Sequence, residues 1–192
     1  MAPLDRRIPP KKLTLSVAQQ PCFAAGGEIY FVLSEGHHKF LYTVAPHQIA
    51  PRKTSHEPSD AFTRISPNGD WWLSGYEAET STARPTTGGP PIRICSSCSA
   101  GWGPGGKFLY IRFRKPGEIA GGKTIVIGLP AGKELPMLPP GGLKSAENIK
   151  GVNVVAEIDM TGKTDFAPGP DPSIYAYSRM TVQRNLFRIP LQ

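Results

Sequence analysis

One short motif recurs along this 192-residue chain and limits what it can fold into. It reads Ile65-Ser66-Pro67-Asn68-Gly69-Asp70-Trp71-Trp72-Leu73, then again Trp102-Gly103-Pro104-Gly105-Gly106-Lys107-Phe108-Leu109-Tyr110. A looser copy lies upstream, Phe23-Ala24-Ala25-Gly26-Gly27-Glu28-Ile29-Tyr30-Phe31. Gly27 and Gly69 are 42 residues apart, and Gly69 and Gly106 are 37 apart. A repeat of about 40 residues carrying one aromatic hairpin is the pattern of a β-propeller, in which small antiparallel sheets are arranged radially. The expected fold is therefore all-β, with about four blade units, read either as a small ring or as part of a larger propeller.

The turn residues have a physical logic. Pro67 fixes φ near −65°, which excludes a type I′ turn at Ser66-Pro67-Asn68-Gly69. A type I turn followed by a left-handed residue remains, and Gly69 and Gly106 stand where that residue falls. After each turn comes one polar residue and then a bulky run: Trp71-Trp72-Leu73, Phe108-Leu109-Tyr110 and Ile29-Tyr30-Phe31. An unbroken apolar run suits a strand covered on both faces, so these aromatics are read as core.

Further strands complete the units. Lys39–Val44 and Lys123–Ile127 read as third strands, and 51–54 and 91–95 as outer strands whose prolines and basic residues discourage edge pairing. The corresponding third strand of the middle unit, near 81–86, is polar and holds Pro85, so only a weak strand is expected there. A fourth unit opens Gly169-Pro170-Asp171-Pro172-Ser173-Ile174-Tyr175-Ala176-Tyr177, where Pro172 replaces the bulge glycine and demands a different turn. The proposed division is 1–19 as a basic head with a closing or remnant strand at Leu13–Val17, then units at 20–56, 57–97 and 98–138. An insertion loop follows at 139–165, which contains a short strand-like run, Val152-Asn153-Val154-Val155, and is a candidate interaction loop, and then an incomplete unit at 166–192. An open arc of such units would leave a blade face exposed and favour self-association.

The chemistry-bearing residues are sparse. Cys22, Cys95 and Cys98 are an odd number, which argues against a disulfide framework. Cys95-Ser96-Ser97-Cys98 has the spacing of a redox pair or of half a zinc site and is the weak metal candidate, but structural zinc takes four ligands and no second pair is spaced to supply them. The alternative reading is two small, half-buried residues in the connection between blades. His37, His38, His47 and His56 fall in loops or strand ends. Asp60, Asp70, Asp159, Asp165 and Asp171 show no pairing, and turn roles are expected for them. The net charge is +7, with basic residues gathered at Arg6, Arg7, Lys11 and Lys12 and otherwise scattered, which favours a solvated surface over a nucleic-acid interface. No apolar run approaches the ~20 residues of a membrane-spanning helix.

The repeat residues Ser66, Pro67, Asn68, Gly69 and Trp71, with Trp102, Pro104, Gly106 and Phe108, resemble the units of TolB-type and WD-repeat-like propellers. The hallmark there is Ser-Pro-Asp-Gly followed by a basic residue and aromatics. The run containing Pro170, Asp171 and Ile174, ending Arg184-Asn185-Leu186-Phe187-Arg188-Ile189-Pro190, is similar to bacterial propeller regions, many acidobacterial, that follow serine/threonine kinase domains. This resemblance implies a sensor or interaction module. No kinase motif is present, and Thr164-Asp165-Phe166-Ala167 has Ala167 where the kinase pattern needs Gly.

The expected function is a non-catalytic module that binds a protein, peptide or small ligand at one end of the ring, with no cofactor, no catalytic residue and no membrane contact of its own. The alternatives are an accessory propeller of a hydrolase or peptidase, for which no Gly-x-Ser-x-Gly elbow is seen, and a basic nucleic-acid-binding surface. The compartment is open: soluble as given, or extracytoplasmic if the chain belongs to a membrane-anchored parent.

Overall fold

The computed structural model describes residues 17–58, 62–75, 80–113 and 122–179. These residues form four antiparallel sheets in chain order. The first contains β1 (Gln19–Phe23), β2 (Ile29–Glu35), β3 (His38–Val44) and β4 (Arg52–Lys53). The second contains β5 (Phe62–Ile65), β6 (Trp71–Ser74), β7 (Thr80–Pro85) and β8 (Ile92–Ser96). The third contains β9 (Cys98–Trp102), β10 (Phe108–Phe113), β11 (Lys123–Gly128) and β12 (Val154–Asp159), and the fourth pairs β13 (Lys163–Pro168) with β14 (Tyr175–Arg179). The first three are up-and-down meanders, the blades of a propeller, and the fourth is a two-stranded hairpin among the described residues. Leu13–Ser16 and Arg184–Leu191 lie outside the described residues.

Neighbouring sheets share faces. Val32 and Leu41 of the first sheet pack with Phe62, Ile65 and Trp72 of the second. Leu73, Ala83 and Ile94 of the second pack with Leu109, Ile111, Ile125 and Ile127 of the third. Tyr110, Val126 and Ile158 of the third meet Phe166 and Tyr175 of the fourth. The bulky runs after the turns are explained by this alternation. Successive side chains point to opposite faces, so Trp72 turns back to the first sheet while Trp71 and Leu73 turn forward to the third. Ile174, opposite Trp71 in the repeat, is instead 57% exposed on the last described sheet.

The repeat is visible in the hydrogen bonds. The Ser66 N–H donates to the Trp71 carbonyl (2.7 Å), the Gly103 N–H to that of Phe108 (2.9 Å) and the Gly169 N–H to that of Ile174 (2.8 Å). The first hairpin is one residue tighter, with the Ala24 N–H donating to the Glu28 carbonyl at 3.0 Å. Gly69 takes the left-handed conformation at φ 84°, and its N–H closes the turn on the Ser66 carbonyl. In the third hairpin the reading needs one correction. Gly105 lies at φ 75°, ψ 3°, so Gly103–Gly106 is a type II turn that then leads into left-handed Gly106. In the fourth, the Asp171 carboxylate accepts from the Ser173 N–H (2.9 Å) and hydroxyl (2.6 Å), an Asx turn that needs no left-handed residue.

Three expectations are overturned. The segment near 81–86 is a full strand: β7 pairs with both β6 and β8, and Pro85 sits at its end, where a missing N–H costs least. The 139–165 stretch is not one loop, because β12 is the outer strand of the third sheet and β13 already begins at Lys163. The chain before β12 is also packed rather than free. The Leu143 N–H donates to the Ile94 carbonyl and its own carbonyl accepts the Ser96 N–H, both at 2.9 Å, so Leu143 covers the outer edge of β8. Leu143 is 0% exposed, and Glu134 of the same strap accepts the Trp102 indole N–H on its carbonyl (2.7 Å) and the Asn68 N–H on its carboxylate (2.8 Å). Third, Cys95 and Cys98 are joined in a disulfide and fully buried, so neither supplies a thiolate to a metal.

Two stability measurements follow from this packing. A Cβ on Gly69 would lie 2.7 Å from the Tyr30 hydroxyl, whereas one on Gly88, also left-handed at φ 88°, would meet nothing within 4 Å. Both Gly→Val variants carry the left-handed backbone penalty of roughly 1–2 kcal/mol, but Gly69→Val adds the clash and should show the larger fall in thermal midpoint; equal falls would contradict the seating of this hairpin on the first sheet. Leu143→Ala should cost about 2–5 kcal/mol in urea unfolding, and a loss under about 0.5 kcal/mol, the range of ordinary surface changes, would show that the strap is not part of the core.

Candidate functional site

The first strand of every sheet borders one continuous hollow. A wide cavity of about 840 Å³ is lined by Gln20 and Cys22 of β1, Thr63 and Arg64 of β5, Trp102 of β9 and Ala167 of β13, with the hairpin residues Pro67 and Pro104 at its rim. A narrower cavity of about 320 Å³ continues from it, lined by Ser99, Gly101, Arg112, Thr124, Asp165 and Phe166 among others. Thr63, Arg64, Trp102 and Pro168 belong to both walls and mark the joint. This is an axial funnel, open on the side of the repeated hairpins.

The motif residues therefore have two roles. Ser66, Asn68 and Gly69 build the turn: the Ser66 hydroxyl accepts the Trp71 N–H (2.9 Å) and Asn68 Oδ1 accepts the Asp70 N–H (2.9 Å). Pro67, Trp102 and Pro104 also form the funnel wall. Gly106 is a turn residue, and Trp71 and Phe108 pack between sheets. Asp171 is a turn residue as well, beside Pro170, and Ile174 stays at the surface.

The funnel carries few ionisable groups. Arg112 is only 6% exposed and donates to the carbonyls of Thr164 (2.8 Å) and Lys163 (3.1 Å), so it ties the third sheet to the fourth. Burial pushes the Cys22 thiol above its ordinary value, opposed by a backbone hydrogen bond from Ile65 and by the Arg64 charge. Its Sγ–H donates to the Thr63 carbonyl at 3.9 Å. At neutral pH it is thus a thiol, a poor nucleophile. None of the four histidines lines the funnel, and all are exposed. Asp159 has its carboxyl lowered by hydrogen bonds from Thr161, as Asp171 has from Ser173, and both serve turns. Asp60 lies outside the described residues. Among the described residues no group of three or more His, Cys, Asp or Glu could hold a metal.

Sequence reasoning missed Arg64 and Gly101. β5 is four residues long, Phe-Thr-Arg-Ile, too short to declare a period, and Gly101 reads as one more glycine in a glycine-rich run. The Arg64 side chain crosses to β9 and lies over Gly101, where a Cβ would be 3.3 Å from Cδ and 3.8 Å from Cζ.

No family model matches the chain, and no curated protein matches it. Several solved structures resemble it, among them two described as TolB. TolB from Acinetobacter baumannii aligns with 69% of this chain and 37% of its own length, at 16% identity and a TM-score of 0.44. A TolB candidate from Agrobacterium tumefaciens aligns with 88% of this chain and 73% of its own, at 17% identity and a TM-score of 0.45. The chain thus spans well under two thirds of the Acinetobacter protein. At these values the propeller assignment rests on the four sheets and the faces they share. Among the described residues no helix is long and apolar enough to cross a membrane.

The thiol gives a direct probe of the funnel. Alkylation of Cys22 with iodoacetamide should report an apparent pKa above the ordinary thiol value. Arg64→Gln should move it higher still, because the positive charge that favours the thiolate is gone. An apparent pKa below the ordinary value, or one untouched by the substitution, would contradict the placement of these two groups.

Proposed function

We propose that this chain is a non-catalytic binding module whose ligand, a protein segment, peptide or small molecule, enters the axial funnel from the hairpin side. The observation that carries this reading is the convergence of all four first strands on connected cavities of about 840 and 320 Å³. Concave, largely apolar hollows with a few polar groups are where ligands bind. The wide cavity has that character, with Cys22, Phe23, Trp102 and prolines on its wall and the exposed Arg64 as its cation. The ionisable groups on the wall also support binding over catalysis: a raised thiol without a histidine beside it, and a guanidinium held by two backbone carbonyls.

The finer reading is that the module is the sensing part of a signalling protein. It rests on the similarity of the 169–190 run to kinase-linked propellers and on nothing else in the chain.

Gly101→Leu tests the site. The substitution puts a side chain into the narrow cavity beside the joint, and the three atoms nearest its Cβ all belong to the exposed Arg64 side chain, so the fold should persist. A partner captured by the wild-type chain from a native lysate should be lost from this variant while its circular dichroism spectrum is unchanged. Equal capture by a well-folded variant would place binding elsewhere.

A further inference from the structure

Taking the funnel as the binding site, we propose that Arg64 is its carboxylate receptor, which gives the module a preference for ligands bearing a carboxylate. Three observations support this assignment. Arg64 lines both cavities at their joint, so a ligand entering from the mouth reaches it before the narrow end. It makes no hydrogen bond or ion pair with another described residue, whereas Arg112 is engaged by two carbonyls. The end of its side chain, from Cδ through Nε to Cζ, lies over Gly101, whose missing side chain leaves room for it.

The charge pattern along the funnel gives a direction. Asp165 lines the narrow cavity and not the wide one. Beyond the joint the charges of Asp165 and Arg112 offset each other and the Arg112 guanidinium is already held by two carbonyls, so Arg64 is the cation that a carboxylate entering from the mouth meets first. The rest of the ligand then lies in the mouth against Pro67, Trp102 and Pro104. A planar guanidinium with parallel N–H groups matches a carboxylate in a bidentate pair, which an ammonium cannot reproduce.

The test uses the full chain labelled with ¹⁵N, at 150 mM salt, observing the Trp102 indole N–H. The probes are the blocked peptide acetyl-Ala-Pro-Glu-Pro-Ala-amide, its Glu-to-Gln counterpart, and N-acetylglutamate alone. The Glu peptide should bind wild type at least tenfold more tightly than the Gln peptide. Arg64→Gln should abolish that ratio, and Arg64→Lys should retain only part of it. Titration by N-acetylglutamate alone would assign the ligand to small free carboxylates, and response to the peptide only would assign it to a carboxylate on a chain; either supports the receptor role. Equal binding of the Glu and Gln peptides by wild type, or a ratio unchanged in Arg64→Gln, overturns the role of Arg64 and leaves the funnel reading intact. No response to any probe overturns the carboxylate preference, and partner capture unaffected by Gly101→Leu overturns the funnel itself.

Discussion

The structure depends on one constraint: the second strand of each inner sheet must bury both of its faces. In β6 and β10 no side chain after the turn can be assigned to solvent, because alternate residues serve different neighbours. Trp72 serves the sheet before and Leu73 the sheet after; Leu109 and Ile111 serve the sheet before and Tyr110 the sheet after. Burying one such side chain stabilises the fold by roughly 1.5–3 kcal/mol. A sheet that needs cover on both sides cannot end a two-layer sandwich. It must be followed by another of its kind, and the right-handed twist of each sheet turns the stack about an axis. The funnel is what remains where the first strands approach that axis.

Much of this was legible in the sequence because the turns announce themselves. Gly69 must be glycine for a left-handed conformation, Pro67 excludes the other hairpin turn, and the bulky run that follows declares a strand without a wet face. What was not legible has a physical reason in each case. β7 was undervalued because its polar sequence hides small residues, Ser81 and Ala83, that fit against the third sheet. The strand-like run at 152–155 marked the start of β12, but its place in the third sheet was not legible, because a long strap separates it from β11 and distance along the chain says nothing about edge pairing. An odd cysteine count obscured the Cys95–Cys98 bond, because parity cannot tell which residue is left over.

The site was the least readable part. Several of the residues that line the funnel lie on short or irregular strands, where no period can be seen. β1 carries a register shift and left-handed Gln20, and β5 shifts register as well. The side chains of the proposed site are thus held by strands that are locally imperfect yet backed by a well-packed strand behind them. That division separates the part of the chain that determines shape from the part free to determine ligand. It also explains why the repeat motif specifies architecture more sharply than chemistry.

The strap has a consequence for how the chain assembles. Leu143 covers the outer edge of β8, yet it lies 48 residues after Cys95, the residue it is bridged to. During synthesis the second sheet is therefore complete while its last strand still offers unpaired backbone groups, and it stays so until β9, β10 and β11 of the third sheet have emerged. An open strand edge is a template for wrong partners, and contacts between distant parts of a chain form slowly because the loop must close first. The interval between the emergence of Ser96 and the arrival of Leu143 is the stage at which nascent molecules are most exposed to aggregation and most in need of a chaperone.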